Sequence, residues 1–190
     1  HSSFDSASVW LSKLLNGEEI QIVQIGSNDG KTGDPVHALV KDNATWKALF
    51  VEPIPYLFKN LQRNYGNDPR FTFENVAIND GTQQVFYSVR EDAKLHLPDL
   101  PGWYDQLGSF NKENIVSHLD GVLEPFIEEI LLSGLTLEQL FIRNNINEIS
   151  LLHIDTEGYD WKILSQLNLN FVKPKICLLY TSPSPRDQRG

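Results

Sequence analysis

The chain has 190 residues, with 16 basic and 25 acidic side chains giving a net charge of −9, and 41% of its positions are hydrophobic against 22% charged. That composition belongs to a folded domain, and the length allows one domain with a substantial core, read as residues 1–180. No run of Lys or Arg offsets the acidity and no apolar stretch reaches the ~18 residues of a membrane span, which argues against nucleic acid and membrane partners.

Cys177 is the only cysteine. An internal disulfide, a thiolate metal cluster and a Cys-x-x-Cys redox pair are excluded, and a reducing, cytoplasmic setting is expected. The sequence contains no Met, so it reads as a fragment, a processed form or a trimmed chain.

In chain order, residues 5–16 (DSASVWLSKLLN) predict a helix with Val9, Trp10, Leu14 and Leu15 on one face, stopped by Gly17. Glu19 to Ile25 predicts a central parallel strand, because no polar alternation marks an exposed face. The next residues, Gly26-Ser27-Asn28-Asp29-Gly30-Lys31-Thr32, form a strand-to-helix loop, and Asp34-Pro35 starts a helix through about Lys41. Trp46 to Val51 is a second strand and Pro55 to Tyr65 a helix with Leu57, Phe58 and Leu61 facing inward. Phe71 to Ile78 and Gln83 to Val89 read as further strands. This alternation predicts parallel crossover units in an α/β sheet with helices on both faces.

Residues 90–120 break the rhythm with prolines, glycines and aromatics, and read as an irregular excursion. Trp103 and Tyr104 there could stack on a sugar ring, though loop aromatics more often anchor to a core. Thr136-x-x-Gln139 is a capping box for a helix through about Asn144. Ile149 to Ile154 is a second buried strand ending at Asp155, followed by a helix from Tyr159 to Leu167 and a last strand, Lys175 to Tyr180. Thr181 to Gly190 (TSPSPRDQRG) has nothing apolar to bury and is expected to be a disordered, non-native tail.

Two chemistries compete for the loop after the first strand. A phosphate cradle ending in Gly30-Lys31-Thr32 needs its first glycine at Ile25, whereas the glycine stands at 26, and Asp29 would set a carboxylate among phosphate charges. The strand ending in Asp155 still resembles a magnesium-holding one, so a P-loop-like NTPase remains an alternative. A dinucleotide site needs Gly-x-Gly-x-x-Gly, and only Gly26 and Gly30 are present. S-adenosylmethionine (SAM) carries a sulfonium and an ammonium, which suit a mixed loop with Asn28 and Asp29. Its ribose requires an acid at the end of the next strand, and Glu52 stands there, about 20 residues on.

The segments IVQIGSNDG, FVEPIPYLFKNLQRNY, ENVAI and LLHIDTEGYDWKIL, over roughly residues 20–180, resemble the FkbM family of SAM-dependent methyltransferases. The resemblance implies a Rossmann-like class I methyltransferase fold with a seven-stranded sheet, and methylation of hydroxyl oxygens on sugars or other small metabolites. By position it implies that Gly26, Ser27, Asn28, Asp29 and Gly30 meet the methionine end of SAM, Glu52 the ribose, and Asn75, Val76 and Ala77 the adenine. Asp155 and Glu157 fall beside the transferring methyl and are the candidate catalytic bases, Asp155 first.

The family usually continues into further strands where this chain has its polar tail, so the last strands are expected to be missing. An exposed sheet edge would invite self-association, and a non-catalytic SAM-binding module is a second alternative. His153 reads as a packed core histidine, and His37, His96 and His118 as surface residues. Asp155 and Glu157 lack a clear third ligand, so no metal site is expected.

Overall fold

The computed structural model describes residues 2–17, 19–156 and 160–179. They fall into two compact units, one drawn from His1–Gly81 and Leu135–Gly190, the other from Thr82–Gly134. In chain order the first unit supplies α1 (Ser2–Leu14), β1 (Gln21–Ile25), α2 (Pro35–Asp42), β2 (Lys47–Val51), α3 (Pro55–Tyr65), β3 (Phe71–Glu74) and β4 (Ala77–Ile78). The second supplies β5 (Gln84–Val89), α4 (Ala93–His96), β6 (Gly108–Ser109), α5 (Lys112–Val116) and β7 (Ile127–Leu132). After β8 (Gly134–Leu135) come α6 (Leu137–Arg143), β9 (Ile149–Ile154), α7 (Asp160–Leu164) and β10 (Pro174–Leu179).

Local chemistry sets the helix starts. Asp34 caps α2 by accepting the Val36 N–H at 2.8 Å, with Pro35 in the first turn where no N–H is needed. Thr136 and Gln139 form the expected capping box of α6. The chain leaves α3 through Gly66 at φ 73, whose N–H closes on Gln62 O.

The main sheet is five-stranded and parallel, in the order β10-β9-β1-β2-β3. Its central strands are mainly apolar on both faces because helices cover both, with Gln24 and His153 among the buried polar exceptions. Ile22, Phe50 and Leu151 pack with Leu11, Val36, Leu39, Leu61 and Tyr65 of α1, α2 and α3 or their flanks. Val23, Ile25, Val51, Leu152 and Ile154 pack with Leu137, Leu140, Phe141 and Ile163 of α6 and α7. Phe50 and Leu61 are fully buried, and each side chain of that kind contributes about 2 kcal/mol. The result is the α/β, Rossmann-like architecture expected, with five strands in the main sheet among the described residues where the resemblance implies seven.

Three sequence expectations change. The buried stripe of α1 and its exit is Leu11 and Leu15, whereas Val9, Trp10 and Leu14 are exposed. Residues 71–78 are two strands rather than one, broken at Asn75. The strand at 84–89 joins neither edge of the parallel sheet: β5 pairs antiparallel with β6 and β7.

The second unit therefore has an order that composition concealed. Val89, Ala93, Leu100, Tyr104, Ile115 and Leu123 make its core, and the Tyr104 hydroxyl donates to Glu91 O at 2.6 Å. Tyr104 is the anchor, and Trp103 stays exposed. The predicted tail at 181–190, the helix start at Gly158-Tyr159 and the strand end at Tyr180 lie outside the described residues.

Candidate functional site

β1, β2 and β9 run side by side and end together, so the residues after Ile25, Val51 and Ile154 meet at one edge of the sheet. Carboxyl ends of parallel strands are where open α/β sheets bind ligands. Asp155 donates its N–H to Ile25 O at 2.9 Å, which brings the β9 exit against the start of the glycine loop. Gly26 lies there at φ +84, and a Cβ on it would meet the Asp155 carbonyl oxygen at 2.0 Å. Only glycine satisfies both conditions.

The loop is tied down by its own N–H groups. Gly26 and Ser27 both donate to Val51 O, at 2.9 and 3.1 Å, and Gly30 donates to Ser27 O at 2.9 Å. Asn28, at φ 51, donates to Glu52 Oε1 at 2.9 Å. Lys31 and Thr32 donate to Asp29 Oδ1 at 3.0 and 2.9 Å, and the Thr32 hydroxyl donates to Asp29 Oδ2 at 2.7 Å. A phosphate cradle needs successive N–H groups turned toward the anion. Here those groups face carbonyl and carboxylate oxygens of the protein.

Asp29 is thus the knot of the loop. Burial pushes its carboxyl up, but the Thr32 hydroxyl, the Thr32 and Lys31 N–H groups and the charge of His37 outweigh this and hold it below the usual range. α3 supplies the outer support: Asn64 Nδ2 donates to Asp29 O at 2.7 Å, and a Cβ on Gly30 would strike Leu61 and Tyr65. His37, expected at the surface, is half-buried, and its Nδ1 lies 2.7 Å from Gly30 O.

Glu52 is 3% exposed and accepts two backbone N–H groups, Asn28 on Oε1 at 2.9 Å and Ile54 on Oε2 at 2.8 Å. These two bonds fix the direction of the side chain. Asn75 Nδ2 donates to Glu52 O and Pro53 O at 2.8 and 2.9 Å, joining the 75–77 turn to the β2 exit. Val76 and Ala77 are buried, which leaves Asn75 as the exposed residue of that turn. The structure brings Gly26 to Gly30, Glu52, Asn75 and Asp155 together; Glu157 lies outside the described residues.

The family model for the methyltransferase FkbM domain matches residues 24–190. The chain belongs to the FkbM methyltransferase family. No curated protein matches it. Membership assigns methyl transfer to the chain in class, and the FkbM match begins at Gln24, two residues before the loop.

Several residues of this candidate site carry weak sequence signals. Gln24, Asn64, His37 and Asp160 all hold it in place. Thr156, directly after Asp155, bonds through its N–H to Asp160 Oδ1 at 2.7 Å, which ties the β9 exit to the first residue of α7. Gln24 was visible as an amide inside an apolar strand, and Asp160 as an acid in a helix's first turn; Asn64 gave no signal because its partner is 35 residues away. Among the described residues, no three His, Cys, Asp or Glu side chains converge on a metal, and no helix is long and apolar enough to cross a membrane.

Proposed function

We propose that this FkbM-family methyltransferase uses SAM and methylates a hydroxyl oxygen of a small molecule or sugar. The observation that carries this reading is the 2.9 Å bond from the Asn28 N–H to Glu52 Oε1, which unites the glycine loop and the strand-end acid in one wall. Two further features support SAM over a nucleoside triphosphate. Six of the loop's N–H groups are bonded within the protein, and the acids Asp29, Glu52 and Asp155 suit a ligand bearing a sulfonium and an ammonium.

Gly26 to Gly30 would hold the methionine end, Glu52 the ribose hydroxyls, and the Asn75 turn the adenine. Bound SAM supplies a methyl group open to displacement by an oxygen nucleophile. The chain's part is mostly positioning, which accounts for a loop tied at so many points. Asp155 is the base we assign to the acceptor proton, since it stands at the β9 exit with its main chain pinned to Ile25. The acidic surface and the absence of a basic run favour a small or carbohydrate acceptor over a nucleic acid.

Calorimetric titration with S-adenosylhomocysteine and with Mg-ATP, on wild type and Glu52→Ala, tests the reading. Binding of S-adenosylhomocysteine that Glu52→Ala weakens is expected. Tight ATP binding without a response to S-adenosylhomocysteine overturns it.

A further inference from the structure

A buried carboxamide lies under the loop and belongs to neither its main chain nor its acids. Gln24, on β1, is 1% exposed, and His153, its cross-strand neighbour on β9, is 2% exposed. The Gln24 Nε2 atom lies 2.9 Å from Asp34 Oδ1 and 3.1 Å from His153 Nδ1. The Asp34 carboxylate only accepts, and its Oδ1 takes the Val36 N–H at 2.8 Å as well, so the amide turns its NH2 group toward it. The same NH2 group then has its second hydrogen for His153, which makes His153 Nδ1 the acceptor and places the ring proton on Nε2.

One side chain therefore reaches both ends of the candidate site. Asp34 ends the glycine loop by capping α2, and His153 precedes Asp155 by two residues on β9. Stability alone does not account for the arrangement: Gln24 Oε1 and Asp34 Oδ2 are buried with no hydrogen-bond partner among the described residues. An apolar residue would avoid that cost, as the neighbours Val23 and Ile25 do.

We propose that Gln24 is a positioning residue for methyl transfer, bridging the α2 cap and His153 so that the loop and the Asp155 segment stay in register. The proposal rests on the SAM reading above, because it gives Gln24 the task of holding that ligand's two walls. Gln24 itself touches no reacting group.

The pair of substitutions at His153 separates hydrogen bonding from packing. His153→Gln keeps an acceptor for the Gln24 amide, and His153→Leu fills the space without one. Titrated with S-adenosylhomocysteine, His153→Leu, which removes one bond of the bridge, should bind about tenfold more weakly than wild type, and Gln24→Met, which removes both, at least as weakly. The double variant should be no weaker than Gln24→Met alone, since that change already breaks the whole bridge. His153→Gln should bind as wild type does.

Wild-type affinity in Gln24→Met, or tighter binding by His153→Leu than by His153→Gln, overturns the proposal and leaves the SAM reading intact. Failure of the wild type itself to bind S-adenosylhomocysteine overturns both. Should the variants not fold, the ring nitrogens of His153 in the wild type decide: nitrogen NMR should show Nδ1 bare and Nε2 protonated. The opposite tautomer removes the bridge.

Discussion

Gly26 and Asp155 meet so closely that a Cβ on the glycine would stand 2.0 Å from the Asp155 carbonyl oxygen. The contact is between two pieces of backbone, so no side-chain rearrangement relieves it. Gly26→Ala must push β1 and the β9 exit apart, and it must also force an L side chain to φ +84. A loss of about 3 kcal/mol is expected, together with loss of S-adenosylhomocysteine binding. Urea unfolding and calorimetry on the same preparation measure the two effects.

Glu52 provides a graded test. Glu52→Ala leaves the Asn28 and Ile54 N–H groups without the carboxylate, and should cost about 2–4 kcal/mol. Glu52→Gln keeps one acceptor oxygen and should lose about half as much. Both should weaken the ligand, and a Gln variant as unstable as the Ala variant would show that the backbone bonds are not what the carboxylate supplies.

Tyr65 points the other way. Its hydroxyl is buried with no hydrogen-bond partner among the described residues, and burial, then the charges of Asp34 and Asp29, push its ionisation well above the usual phenol range. Its ring stacks on Phe50 at 4.2 Å between centroids, and Phe would keep that contact. Tyr65→Phe should therefore be as stable as wild type or up to about 1 kcal/mol more stable. A higher or unchanged urea midpoint is the expected result.

His153 should make stability depend on pH. Burial lowers its pKa from 6.5 to about 4, with the Asp160 charge opposing. Between those values the unfolded chain binds a proton that the folded one does not, so unfolding gains as pH falls. The neutral ring's contribution is complete above 6.5 and is lost on descending toward about 4, by at most about 3 kcal/mol. Asp34, raised by burial, acts in the opposite sense but is common to wild type and His153→Gln. Urea midpoints followed through that range should fall more steeply for wild type than for His153→Gln, and parallel curves would remove His153 as the cause.

Apolar runs and caps made much of the first unit legible beforehand. QIVQI, KALFV and ISLLHI could only be strands buried on both faces, and Asp34-Pro35 and Thr136-x-x-Gln139 mark helix starts through contacts within a few residues. The face of α1 was misread for the opposite reason: Leu11 and Leu15, rather than Val9 and Trp10, are chosen by what lies beneath the helix. The 84–89 strand likewise had no local mark of its partner, β7, because pairing of Val85 with Leu131 spans a long stretch of chain.

For the site, the sequence by itself determined the parts and their order: a glycine loop after the first strand, an acid after the second, and Asp155 after a later buried one. Those features follow from backbone conformation and strand-end position, which neighbouring residues dictate. Only the tertiary structure decided how the parts engage: that Gly26 has no room beside Asp155, that the loop's N–H groups are spent on Val51, Glu52 and Asp29, and that Gln24 reaches both Asp34 and His153. Hydrogen bonds and close approach depend on which strands lie side by side, and strand order in a parallel sheet is set by the packing of both faces at once.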